Sequence, residues 1–495
     1  MTPPTRSQGR RIPLLDATTL RPLKISGQVG SFDVFAVGDE VIVSNGTPNP
    51  LQPFPGVWLP EDDGRTEFPL PDRPGQYGSR QEFDRTPKFM AQFAHWPDRV
   101  DAVLEGRYFD LRPVHFEGIF TLVCNFMCPH CSRRVTRTEW VEGGTWDNNT
   151  EVEERNTMHP EGLRRAIDEM ASLSADGQMG IIWGGGDPTA NPFTYDAMLY
   201  ARSKGISASF LTNGVFIDVD RALDADPILI RVSLNCGTEE AYIKFHGYPK
   251  EWDYFDRVKQ KLRQLATRKL ERGSRTLIGI SLIMDERNLH DVVEAARLVR
   301  DVVTEAGGGI DYCIVRPVMN YSSFYRPWAR LEDDTKARAW ALVEEGGAAW
   351  EILHEVGVPL VAVKDSFDEP PAEDADFYQA STDCLAYGIA SEIRHDGDVQ
   401  LCSDSYGNPA YTIGNLLDQT LGDIWRSDRR RTVLEARNQD RCFATICPHN
   451  SRGHHYNRLF HRIEQLRSEG RIDDVRRWIE DLRDVTYPLG HSFFL

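Results

Sequence analysis

Seven of the nine cysteines fall into two groups, and the first group holds an odd number. Cys124, Cys128 and Cys131 stand within the eight residues CNFMCPHC; no cysteine precedes them and none follows until Cys236. A structural zinc site closes its tetrahedron with four protein ligands, so three thiolates on one tight loop suit a centre with a vacant place. Three sulfurs can hold three corners of a four-iron cubane and leave the last iron open to a ligand chelating through nitrogen and oxygen. A zinc site borrowing a distant ligand, or three unrelated cysteines, are the other readings of the spacing. The second group is Cys384, Cys402, Cys442 and Cys447. CLAYGIASEIRHDGDVQLC reads C-x12-G-x4-C from Cys384 through Gly397 to Cys402, and CFATIC follows forty residues on. Four thiolates suffice for one fully ligated cluster or for one structural zinc.

Elements must position these groups. FEGIFTLV, MGIIW, ISASFL, ILIRVSL, TLIGISLIM and IDYCIV are short apolar, β-branched runs of buried-strand character. Helical stretches separate them, the clearest being YFDRVKQKLRQL, where Phe255, Val258, Leu262 and Leu265 recur at three- and four-residue steps. Six such units predict an α/β fold, a parallel sheet curved into a partial (β/α)6 barrel with helices outside and chemistry at the C-terminal strand ends. The three-cysteine loop follows FEGIFTLV directly and so belongs at such an end. Residues 1–115 read as a β-rich N-terminal cap: FDVFAV and EVIVSNG alternate around Gly38-Asp39 as a hairpin, and 48–74 carries eight prolines. The barrel is expected over 116–330, a helical linker over 331–383, the second cysteine group over 384–450 and a helical tail over 451–495.

CxxxCxxC after a first barrel strand resembles the radical S-adenosylmethionine (SAM) enzymes, and other motifs agree over roughly residues 116–450. In that family a GGEP-like turn after the second strand holds the SAM amino group; here Gly185, Gly186, Asp187 and Pro188 stand at that place, with Asp replacing Glu. FLTNG, with Thr212 and Asn213, looks like the next SAM-contacting strand end. RVSLN places Ser233 and Asn235 on one face by alternation, where relatives often carry Ser and Asp toward the ribose. Asn288 in MDERN resembles a further ribose contact. The resemblance implies a 4Fe–4S cluster that gives SAM one electron, releasing a 5′-deoxyadenosyl radical that abstracts hydrogen from an unactivated C–H. The C-terminal cysteines resemble the auxiliary-cluster domains called SPASM and twitch, four thiolates fitting the shorter twitch form with one auxiliary cluster. A cluster without an open iron can accept an electron from a substrate radical without competing for SAM, which an oxidation needs.

The remaining residues bear on the reaction type. Cys236 and Cys313 are candidate hydrogen donors for a radical epimerase; alternation puts Cys236 out of phase with Ser233 and Asn235, and Cys313 out of phase with Arg316, as core fillers would be. Arg316, Tyr312 and Tyr321 are placed where the last strand opens toward substrate, Arg316 as a binder of carboxylate or hydroxyl rather than a base. Arg133, Arg134 and Arg137 suit an acidic flavodoxin- or ferredoxin-type reductant or a solvated face, and His454 and His455 read as surface residues. With 57 Lys and Arg against 75 Asp and Glu, the net charge of −18 disfavours nucleic acid and anionic membranes. Without a signal-like start or a long apolar run the chain is expected to be cytoplasmic. The expected function is radical SAM oxidation, by dehydrogenation or cross-linking, of a sugar- or aminocyclitol-type natural-product intermediate or a short peptide. Epimerisation, maturation of a ribosomally made peptide, and a zinc-binding interaction protein without SAM chemistry stand as alternatives.

Overall fold

The computed structural model describes residues 93–94, 96–128, 130–131, 156–173, 179–318, 333–362, 383–405, 408–442, 447 and 452–483, with the backbone of five short strands before residue 59. The six apolar runs form six parallel strands: β1 His115–Ile119, β2 Gly180–Trp183, β3 Ser207–Thr212, β4 Leu229–Ser233, β5 Leu277–Met284 and β6 Tyr312–Pro317. They lie in sequence order, each hydrogen-bonded to the next. Both faces are buried, which is why these strands read as continuous apolar runs rather than alternating ones. Helix Tyr254–Arg272 covers the outer face through Phe255, Val258, Leu262 and Leu265, the stripe its periodicity predicts, and ends at Gly273 in the left-handed region.

The sheet runs beyond six strands at both edges. In the stretch expected as a helical linker, helices Asp333–Val343 and Ala348–His354 lead into a strand, β7 Leu360–Ala362, which pairs parallel with β6. At the other edge β8 Ala390–Arg394 pairs parallel with β1, and β9 Asp398–Gln400 and β10 Thr412–Asn415 follow antiparallel. The result is one ten-stranded sheet, ordered β7-β6-β5-β4-β3-β2-β1-β8-β9-β10. The second cysteine group therefore hangs from the same sheet as the first.

Helix Pro97–Leu104 and the turn after it pack on the C-terminal helix Arg452–Ser468: Phe93 and Tyr108 both meet Phe460, and Trp96 meets Tyr456. This packing corrects the expectation for the two histidines of GHHYN. His454 is 0 % and His455 9 % exposed, because the start of that helix is buried rather than solvated. Nearer the N-terminus, strands Asp33–Val37 and Glu40–Ser44 pair antiparallel with Val37 opposite Glu40, the expected hairpin. The proline-rich stretch lies outside the described residues apart from strand Val57–Trp58. No helix among the described residues is long and apolar enough to cross a membrane.

Candidate functional site

Cys124, Cys128 and Cys131 line a cavity of about 300 Å³ at the C-terminal ends of the strands, within the range of small-ligand sites. Gly185, Gly186, Asp187, Thr212, Asn213, Ser233, Asn235 and Arg316 share its wall, with Glu117 from β1 and Phe126 and His130 from the cysteine loop. Each strand end contributes because a parallel sheet delivers all its C-terminal ends to one rim.

The loop itself is held by backbone. The Gly186 N–H donates to the Thr121 carbonyl at 2.8 Å and the Asp187 N–H to the Val123 carbonyl at 2.7 Å. Gly185 has φ +110, and a Cβ on either glycine would collide with the Thr121 or Val123 carbonyl oxygen. The glycines thus admit the cysteine loop itself. Phe126, midway between Cys124 and Cys128, plugs into an aromatic nest of Tyr242, His246, Tyr248 and Tyr254, with ring centroids 4.6–5.8 Å away. The Met127 N–H donates to the His246 carbonyl at 3.1 Å.

Asp187 does more than replace a glutamate. Its carboxylate is buried and accepts from the Thr189 N–H at 3.0 Å, the Thr212 hydroxyl at 3.0 Å and the Asn213 N–H at 2.7 Å. Burial pushes its carboxyl up from the usual range, against the pull of these donors. Asn213 in turn reaches the cluster loop, donating to the Asn125 side-chain oxygen at 2.8 Å and pointing at the Cys124 Sγ from 3.9 Å. The Phe126 N–H approaches the same sulfur at 3.4 Å.

Several expected residues are placed elsewhere. Asn288 does not line the cavity; it is buried, donating to the Asn235 and Ile283 carbonyls and accepting from the Asp285 N–H, so it braces the strand ends instead of offering a ribose contact. Pro188 opens a short 3-10 turn behind the wall. Cys236 and Cys313 are both 0 % exposed and absent from the cavity lining, and burial raises both thiols, so neither is placed as a hydrogen donor. Tyr312 packs beneath Gly279 with Leu277 and Ile314, away from the C-terminal strand ends, because it opens the strand and Arg316 lies four positions further along it. Tyr321, Arg133, Arg134 and Arg137 lie outside the described residues.

The structure also brings in residues that no sequence pattern marked. His246 Nδ1 is 3.3 Å from the Cys128 Sγ. Arg287 donates to Asp285 at 2.9 Å and to His130 Nδ1 at 3.1 Å, clamping the residue between the second and third cysteines. Burial holds both histidines down at about 3 and therefore neutral.

The second cysteine group surrounds the β8–β9 hairpin. Gly397, with φ +86, makes the turn between these strands, which is what C-x12-G-x4-C encodes. Cys384 lies within electrostatic reach of Cys442, and Cys402 of Cys384 and Cys447; burial lifts the Cys384 thiol to about 12 and raises the Cys402 thiol well above its ordinary value. The Asp404 N–H faces the Cys402 Sγ at 3.3 Å, and the Tyr411 hydroxyl lies 3.1 Å from Cys442. Among the described residues no three His, Cys, Asp or Glu side chains converge closely enough to grip a single ion. A multi-iron cluster needs no such convergence, because its corners take separate thiolates. Both all-thiol sets, with N–H donors aimed at their sulfurs, fit iron–sulfur clusters. The polar rim beside the first set fits SAM.

Residues 119–299 match the family model of the radical SAM superfamily, and residues 384–448 match SPASM, an iron–sulfur cluster-binding domain. Fe-coproporphyrin III synthase of Methanosarcina barkeri (strain Fusaro / DSM 804) is 27% identical over 180 residues, 36% of this chain and 40% of that protein, so the match spans less than half the relative's length. Among solved structures, SuiB of Streptococcus suis is 15% identical with a TM-score of 0.46, covering 66% of this chain and 69% of that one. HydG, a maturase of the [FeFe]-hydrogenase, is 12% identical with a TM-score of 0.30, covering 77% and 87%. The two matched domains imply a 4Fe–4S cluster, SAM and an auxiliary cluster as cofactors. With the cysteine loop at the barrel mouth and the four-cysteine hairpin on the same sheet, the chain carries a radical SAM domain over residues 119–299 and a C-terminal SPASM domain over residues 384–448.

Proposed function

We propose that this chain carries out a two-electron oxidation at an unactivated C–H of a polar small molecule or short peptide. When bound, the three-cysteine cluster and SAM supply a 5′-deoxyadenosyl radical that takes a hydrogen atom, and a fully ligated auxiliary cluster accepts the second electron. Cys124, Cys128 and Cys131 would hold the first cluster, and Cys384, Cys402, Cys442 and Cys447 the second. Gly185, Gly186, Asp187, Thr212, Asn213, Ser233 and Asn235 form the wall for SAM.

The substrate then meets a wall that carries Glu117 and the Arg316 guanidinium. Glu117 on β1 can take the proton that oxidation releases, and Arg316 on β6 can orient a carboxylate or hydroxyl. Oxidation is favoured over epimerisation by one observation: Cys236 and Cys313 lie in the core, outside the cavity wall. Peptide cross-linking is the second form of the same oxidation, and a flavodoxin- or ferredoxin-type protein is the proposed reductant.

The test is turnover of anaerobically reconstituted enzyme in heavy water. A product lacking two hydrogens, with no deuterium at the attacked carbon, supports oxidation. Product of unchanged mass that gains one carbon-bound deuterium would establish epimerisation instead. Bound zinc with little iron and no SAM cleavage would return the chain to a binding role.

A further inference from the structure

His246 ends helix Glu239–His246, and only 2 % of it is exposed. Its ring packs on Phe126 and Tyr242, with centroids 4.6 and 4.3 Å away. Nδ1 faces the Cys128 Sγ at 3.3 Å. Nε2 faces two groups with opposite demands: the Leu234 carbonyl at 3.4 Å, which only accepts, and the Asn235 Nδ2 at 3.5 Å, which only donates. The Asn235 amide is not free to turn over, since its Oδ1 accepts the Ile283 N–H at 2.9 Å.

A neutral imidazole has one proton to place, and its partners decide where. A free Cys128 thiol could donate to a bare Nδ1. A thiolate bound to iron has no proton to give and would face the Nδ1 lone pair, so it requires N–H at Nδ1. Nε2 is then bare, and of its two neighbours only Asn235 can satisfy it.

We propose that Asn235 and His246 form a relay that fixes the Nδ1–H tautomer and delivers a hydrogen bond to the Cys128 sulfur, making His246 a positioning residue that sets the cluster's potential. The proposal rests on Cys124, Cys128 and Cys131 being the cluster ligands. Hydrogen bonds to cluster sulfurs tune reduction potential, and drawing electron density from the sulfur makes the reduced state easier to reach. The relay needs an amide at position 235. A carboxylate at 235 would hold the imidazole proton on Nε2 and leave the bare nitrogen against the sulfur.

The test is an EPR-monitored redox titration of the cluster whose signal Cys124→Ala abolishes, on the parent, His246→Phe, Asn235→Gly and the double variant. Phenylalanine keeps the aromatic packing, and glycine suits Asn235 because its φ is +62. Both single variants are expected to take up iron like the parent and to titrate at a more negative potential. The double variant should move no further than His246→Phe alone, because both act through one N–H. Should one variant fail to take up iron, the other alone decides. In parent labelled with 15N-histidine, pulsed EPR of the same signal should show a coupled histidine nitrogen that persists in His130→Phe. Unchanged potentials, additive shifts or no such coupling would overturn the relay. SAM cleavage is assayed separately: its absence in the parent counts against the proposed function, and the potentials still report on the relay.

Discussion

At the scale of single residues, the site depends on groups that hold other groups. Gly186 carries no chemistry, yet a methyl there would meet the Val123 carbonyl of the cysteine loop. Gly186→Ala is expected to cost about 1–3 kcal/mol and to lower iron uptake at the first cluster, measured by iron assay after reconstitution. Asp187→Ala should cost a similar amount, about 1–3 kcal/mol, because it takes the acceptor from the buried Thr212 O–H and Asn213 N–H donors. Thermal unfolding of the chain before cluster loading isolates that effect. The cysteines and the glycine turn were legible in the sequence because residue type and spacing alone define them. His246 and Arg287 were not: they reach the loop from 118 and 157 residues away, a contact made only by folding. Asp187 was visible, but its bonds to Thr212 and Asn213 were not, since those residues lie at the end of the next strand.

At the scale of elements, the strands were readable and their edges were not. Continuous β-branched runs announced six buried parallel strands, whereas β7 is three residues long and follows two helices, too short for a periodic signal. Alternation separated Arg316 from Cys313 correctly because both lie within β6. It worked for Asn235 only in outcome: β4 ends at Ser233, and Asn235 reaches the cavity wall through a left-handed backbone. A buried cation sits at the junction between the N-terminal flank and the second cysteine region. Arg430 stacks 4.1 Å over Trp425 and donates to the Phe109 and Trp425 carbonyls at 3.0 and 2.7 Å. Arg430→Ala is expected to destabilise the chain by about 2–4 kcal/mol, seen as a lower melting temperature, while the cysteine loop keeps its iron.

At the scale of the whole molecule, one continuous sheet carries both cysteine groups. Glu117 on β1 is paired with Glu392 on β8, so the strand that lines the cavity is also the strand on which the auxiliary region is built. Replacing Cys384 or Cys402 by alanine is therefore expected to lower iron by about half, to leave SAM cleavage intact and to abolish substrate oxidation. Loss of SAM cleavage as well would mean that the second centre supports the first structurally. The most direct measurement of the central claim is 5′-deoxyadenosine formed from SAM by anaerobically reduced protein, compared with Cys124→Ala, Cys128→Ala and Cys131→Ala. The account predicts formation by the parent and none above background in any of the three. Equal formation by parent and variants would contradict it.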